Sequence, residues 1–203
     1  MLEIRPSKVI GVGRNYADHA KELGNELPTE PLIFLKPPSA VIGDGDEVVY
    51  PDQSSNLHHE AELAVVIGRE CRNVAAAEAM EYVRGYTCAN DVTARDLQNS
   101  DPQWTRGKGF DTFCPLGPRL VTGLDPGHLR VVMRVNGEVR QDGNTADMIF
   151  PVAALVSYIS SVMTLLPDDV ILTGTPAGVS PVQRGDLMEV EVEGIGILRN
   201  RVR

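Results

Sequence analysis

Cysteine is scarce in this chain of 203 residues: three occur, at positions 71, 88 and 114. They are odd in number and outside any Cys-x-x-Cys spacing, so they read as buried thiols of a reducing compartment, not as a disulfide framework or zinc ligands. Long apolar runs are missing as well. The longest, Met148 to Val156, contains Pro151 and covers nine residues, well short of the roughly 20 needed to span a bilayer. The stretch Met1 to Pro6 lacks the apolar centre of a secretion signal, and the expected location is cytoplasmic. Positive charge is in deficit, with 19 Lys and Arg against 28 Asp and Glu and a net charge of −9. Such a surface repels phosphate backbones, so nucleic acid is excluded as the expected partner, and no membrane association is expected.

What is present points to a strand-rich fold. Nineteen glycines and 14 prolines are more than helical bundles tolerate. Hydrophobic residues make up 42% of the chain, enough for one sizeable core. No repeat, linker or low-complexity segment interrupts it, so a single domain over residues 1–203 is expected. The fold class is α+β and strand-dominated.

Apolar patterning predicts strands over 8–13, 32–35, 47–50, 60–67, 85–92 and 170–173. A short helix is expected from Asn15 to Leu23, stopped by Gly24, and an alanine-rich one from Val74 to Val83. Residues 93–99 read as a helical turn, and Met148 to Leu165 as a long helix with Pro151 in its first turn. Asn136-Gly137 between alternating strands predicts a tight hairpin, because both turn positions favour positive φ. The alternating segment Asp186 to Glu193 is expected to end the sheet.

Several familiar motifs fail on inspection. Gly11-Val12-Gly13 has Tyr16 where a dinucleotide fingerprint needs its third glycine. His59-Glu60 is followed by Leu63 where a zinc protease needs histidine, and Gly174 to Gly178 lacks the lysine of a phosphate loop.

One constellation remains. Glu60 and Glu62, two apart on an expected strand, share a face beside an apolar run. A divalent cation would relieve their repulsion; an exposed strand end would also accommodate them. Asp91 lies in an otherwise uncharged segment, and a buried aspartate needs a cation or several donors. Arg95 and Gln98 fall on one side of a helical turn, and Lys108 follows between two glycines. An Arg95–Asp96 pair and a surface Lys108 are the plainer alternatives. His19 and Glu22, spaced i,i+3, can form a carboxylate-oriented imidazole suited to general-base work, or an ordinary exposed helical pair.

These motifs together resemble the fumarylacetoacetate hydrolase family, and within it the small acylpyruvate hydrolases and oxaloacetate decarboxylases. The resemblance runs from Val9 to Val192 through Gly-Arg-Asn-Tyr-Ala-Asp-His at 13–19, Phe-Leu-Lys-Pro at 34–37 and His-His-Glu-Ala-Glu-Leu at 58–63. It continues through Asp-Val-Thr-Ala-Arg-Asp at 91–96, Gly-Lys-Gly-Phe-Asp at 107–111 and Leu-Thr-Gly-Thr-Pro at 172–176. It implies a mixed β-roll, usually in a homodimer, with a few short helices and one longer helix. It also implies Mg²⁺ or Mn²⁺ on Glu60, Glu62 and Asp91, and a water-activating dyad of His19 and Glu22 on a lid. Lys108 would be catalytic, with Arg14, Arg95, Gln98 and Thr175 binding a small keto acid. Between Gln98 and Trp104 the chain is short where many small relatives carry a lysine-rich insertion.

The activity first expected is hydrolysis of a C–C bond in 2,4-diketo acids such as fumarylpyruvate or acetylpyruvate, through a metal-bound pyruvate enolate. The alternatives are oxaloacetate decarboxylation, keto–enol tautomerisation, and isomerisation or decarboxylation of 2-hydroxyhepta-2,4-diene-1,7-dioate. An all-oxygen donor set suits a hard cation in each case.

Overall fold

The computed structural model describes residues 4–22, 24 and 27–203. The chain begins with β1 (Val9–Gly13), helix α1 (Ala17–Glu22) and β2 (Leu32–Lys36). Short strands β3 (Val41–Ile42), β4 (Glu47–Val48) and β5 (Leu57–His58) precede β6 (Ala61–Ile67), β7 (Val83–Asn90) and β8 (Thr93–Ala94). Helices α2 (Arg95–Ser100) and α3 (Thr105–Lys108) lead to β9 (Cys114–Val121) and the pair β10 (Arg130–Val135) and β11 (Glu138–Asn144). Helix α4 (Val152–Val162), β12 (Val170–Leu172), β13 (Leu187–Val192) and β14 (Gly196–Val202) complete the chain. No helix among the described residues is long and apolar enough to cross a membrane.

The strands form a curled seven-stranded mixed sheet in the order β2-β1-β12-β6-β7-β9-β3, a five-stranded sheet β11-β10-β13-β14-β4, and the small pair β5-β8. The larger sheet is covered on both faces, so all seven residues of β6 are buried and its sequence shows no alternation. Leu63, Val65 and Ile67 pack with Met133 and Val190 of the second sheet and with Leu155 and Ile159 of α4. The opposite face gathers Val9, Ala64, Val66, Ala89, Leu116 and Leu172. Small side chains on this face let the sheet curl, and Glu62 shares it two residues before Ala64.

The expected hairpin is present, with Asn136 and Gly137 at φ 52° and 83°. Four expectations change. The helix over 74–83 reduces to a single 3₁₀ turn, Ala79–Tyr82. Its first residues are drawn to α4 instead, where the Val74 N–H donates to Ser160 Oγ and the Ser157 hydroxyl to the Val74 carbonyl. The long helix starts only at Val152, because the amides of Ile149 and Phe150 donate to the backbone and side chain of Asn15. The chain does not end its sheet at 193: β14 pairs antiparallel with β13 and parallel with β4. Helix α1 covers only 17–22 of the segment expected, and Leu23 lies outside the described residues.

Gly85 of β7 shows how closely the sheet is built. A β-carbon there would sit 2.5 Å from the Val121 carbonyl oxygen on β9, so Gly85→Ala must push two strands apart. It should lower stability by about 1–3 kcal/mol, read from urea unfolding. An unchanged midpoint would show that the β7–β9 contact yields freely.

Candidate active site and metal centre

The hairpin β6–β7 brings the acidic residues together. Ala61 pairs with Asn90, and the Asp91 N–H donates to the Glu60 carbonyl at 2.9 Å, so Glu60 and Asp91 face each other just beyond the strand ends. Glu62 stands two residues deeper, and its carboxylate accepts from the Gly174 N–H at 2.6 Å. All three are buried, and one carboxylate oxygen from each lies within 4.8 Å of the others. Glu60 and Asp91 themselves lie one residue outside the strands on which they were expected.

Three buried cations answer them. Lys36, at the end of β2, bonds Asp91 Oδ1 and also donates to the Val92 carbonyl at 3.2 Å. Lys108 bridges Glu60 at 2.7 Å and Asp91 at 2.5 Å. Arg95 bonds the other Glu60 oxygen and reaches Gln98 Oε1 at 2.5 Å. Neither plainer alternative holds. Lys108 is only 2% exposed, and Asp96 is engaged by Ser54 and Ser55 instead of Arg95. Lys36 is the cluster residue that sequence reasoning missed. It stood within the Phe-Leu-Lys-Pro motif, and the available signal was a lysine closing a strand beside a paired apolar strand.

The cations divide the carboxylates electrostatically. Burial opposes the charge of Glu60, but Lys108 and Arg95 outweigh it and hold that carboxyl well below the usual range. Among the described residues no cation is bonded to Glu62. Burial, then Asp91 and Glu60, push its carboxyl well above the ordinary value. Burial also works against the Lys108 ammonium, yet Asp91 and Glu60 more than restore it.

The donor set, three carboxylates without sulfur or imidazole, fits a hard divalent ion such as Mg²⁺ or Mn²⁺. The electrostatics give the same indication: Lys36, Arg95 and Lys108 bond Glu60 and Asp91, and Glu62 is left against two like charges.

The carboxylates open into a cavity of about 450 Å³, also lined by Arg14, His19, Gln98 and Thr175. His19 is 5% exposed, and its Nδ1 lies 3.3 Å from Glu22 Oε2. Burial is the main reason its pKa lies below the ordinary 6.5, so the imidazole is neutral at pH 7. Glu22 also accepts from the Gly178 N–H at 3.2 Å. Thr175 lies in the same wall, but its hydroxyl donates to the Ala61 carbonyl and accepts from Gln141. Phe34 and Trp104 form an apolar side, edge to face at 5.4 Å, with Lys108 Nζ 5.0 Å from the Phe34 ring centre.

Comparison with known proteins shows the family. The family described as "Fumarylacetoacetate (FAA) hydrolase C-terminal" matches residues 8–203. The chain belongs to the fumarylacetoacetate hydrolase family. It is 49% identical over 210 residues to human mitochondrial oxaloacetate tautomerase FAHD2A, covering 98% of this chain and 67% of that one. A 2-hydroxyhepta-2,4-diene-1,7-dioate isomerase from Mycobacterium marinum superposes with a TM-score of 0.92 at 51% identity, over 98% of this chain and 75% of that one. A fumarylpyruvate hydrolase from Pseudomonas aeruginosa, solved with Mn²⁺ and pyruvate, gives 0.92 at 38% identity, over 98% and 90%. Members of this family are enzymes, and these three differ in the reaction they catalyse.

The balance of charge generates a prediction. Lys36→Met leaves Asp91 without one of its two buried partners and should cost about 3–5 kcal/mol of stability. Saturating Mn²⁺ should return part of that loss, because the ion then faces the same carboxylates. Equal urea midpoints for wild type and variant would show that Lys36 does not balance Asp91.

Proposed function

We propose that this chain is a divalent-metal-dependent enzyme that moves a proton next to the keto group of a 2-oxo dicarboxylate, interconverting keto and enol forms. The observation that carries the reading is the buried His19, 3.3 Å from Glu22, in the same cavity as the three carboxylates. A cation held by Glu60, Glu62 and Asp91 would supply a Lewis acid that polarises the keto oxygen. Three carboxylates and three cations cancel formally, so the cluster with its ion carries the charge of that ion. This suits a doubly anionic substrate better than a monoanion. The 49% identity to an oxaloacetate tautomerase supports the same substrate class.

The roles of the remaining residues follow from their free valences. His19 Nδ1 faces Glu22, so Nδ1 carries the ring proton and Nε2 keeps its lone pair for the substrate proton. Glu22 balances the imidazolium that forms. Gln98 spends its carbonyl oxygen on Arg95 and keeps its amide N–H groups for a substrate oxygen. Arg14 at the cavity edge is the cation left for the distal carboxylate, and Lys108 stabilises charge developing on the substrate's oxygens.

Hydrolytic cleavage of acylpyruvates is the second reading. It is supported by the fumarylpyruvate hydrolase relationship and uses the same base, with His19 taking its proton from water.

His19→Ala should slow oxaloacetate tautomerisation, followed by enol absorbance, by a factor on the order of 10²–10⁴. Fumarylpyruvate hydrolysis should fall alongside it if present, whereas decarboxylation of oxaloacetate, which needs no base, should fall much less. Undiminished tautomerisation would remove His19 from the proton path. Alanine at Glu60, Glu62 or Asp91, or exhaustive chelation, should abolish activity, with Mn²⁺ or Mg²⁺ restoring the chelated enzyme. Full activity after chelation would sink the metal reading. The pH profile has a fixed sign. Because the neutral form of His19 is active and its pKa is lowered from 6.5, the rate should hold down to that pH and decline only below it. An acid limb centred above 6.5 would contradict the assignment.

A further inference from the structure

We infer that Gln141 is a positioning residue that sets the metal-binding carboxylate Glu62 and the base-orienting carboxylate Glu22 through a single loop. The inference rests on the reading that Glu60, Glu62 and Asp91 hold a divalent cation. Gln141 belongs to β11 of the second sheet, is 1% exposed, and does not itself line the cavity.

Its side chain is fully committed. Oε1 accepts from the Ala61 N–H and from His59 Nδ1, both at 3.0 Å, and Nε2 donates to Thr175 Oγ1 at 2.7 Å and to the Pro176 carbonyl at 2.8 Å. One amide thereby joins the start of β6, which lies between Glu60 and Glu62, to the loop 174–178. His59 extends the joint, with its Nε2 2.9 Å from Ser180 Oγ beyond the loop.

The two ends of that loop hold the two carboxylates. The Gly174 N–H donates to Glu62 at 2.6 Å, and the Gly178 N–H donates to both oxygens of Glu22 at 3.2 Å. The loop is also moulded against β11. A β-carbon on Gly178 would lie 2.1 Å from the Arg140 carbonyl oxygen, and one on Gly143 would lie 2.5 Å from Pro176 Cβ. Gly178 has φ +102°, a conformation open to glycine, so the backbone itself does not hold the loop in place and its anchor must. Removing the two Gln141 donors would release Thr175 and Pro176, and with them the amides on Glu62 and Glu22.

Gln141→Glu tests this with nearly unchanged shape, keeping an acceptor for Ala61 and His59 but losing both donors to the loop. Mn²⁺ affinity of the metal-free protein, measured by electron paramagnetic resonance, should weaken at least about tenfold, as for other groups that orient metal ligands. The kcat should fall by a similar factor with KM little changed. Thr175→Val, which removes the hydroxyl that receives the Gln141 N–H, should weaken Mn²⁺ binding in the same direction and serves if the glutamate variant does not fold. The double variant should be no weaker than the worse single one. Wild-type Mn²⁺ affinity and kcat per folded molecule in both single variants, whatever their melting temperatures, would overturn the inference. Failure of the wild type itself to bind Mn²⁺ would instead overturn the metal reading on which it rests.

Discussion

Three carboxylates buried close to one another repel strongly in a medium that screens poorly, and each would cost several kcal/mol if left unpaired. Glu60, Glu62 and Asp91 are tolerated because Lys36, Arg95 and Lys108 converge on two of them. These cations come from β2, α2 and α3. The site therefore exists only when those elements are folded against the β6–β7 hairpin. Glu62 is the member to which no cation is bonded among the described residues, and burial with the nearby Asp91 and Glu60 raises its pKa. A divalent ion there would offset that local repulsion and give the otherwise balanced cluster a net positive charge.

The sheet explains how the charges gather. One face of the curled sheet carries Ala64 and Ala89, small enough to leave room at one end for Glu62 and the Lys36 side chain, and Gly11, over which the Phe34 ring lies. Its other face is sealed by the second sheet and α4. The second sheet also reaches the site through Gln141, so a part of the fold with no residue of its own in the cavity shapes both ends of the loop beside it.

Much of this could be read from the amino-acid order, for specific reasons. Glu60, Glu62 and Asp91 stood out because charge within apolar strands is expensive, and His19 with Glu22 because i,i+3 spacing is local. The Asn136-Gly137 turn was legible because its backbone demands are local too. What escaped depends on distant partners. Lys36 looked like the end of a strand until Asp91, 55 positions away, was placed beside it. Gln141 sat in a polar hairpin arm with no local sign of its burial. The helix expected over 74–83 yielded to hydrogen bonds that Val74 makes to Ser160 and receives from Ser157. Strand β14 was hidden because its buried Asn200 satisfies itself on the carbonyls of Gly43 and Asp46, which breaks the apolar alternation.

The central claim is that this cluster is a cation site completed by Glu62, and Mn²⁺ binding to wild type and Glu62→Gln tests it most directly. Electron paramagnetic resonance should find one ion per wild-type chain. The glutamine variant should hold it at least about tenfold more weakly, because it keeps the shape of Glu62 but removes a charged ligand. Equal affinity in the two proteins, or no ion bound to either, would contradict the account.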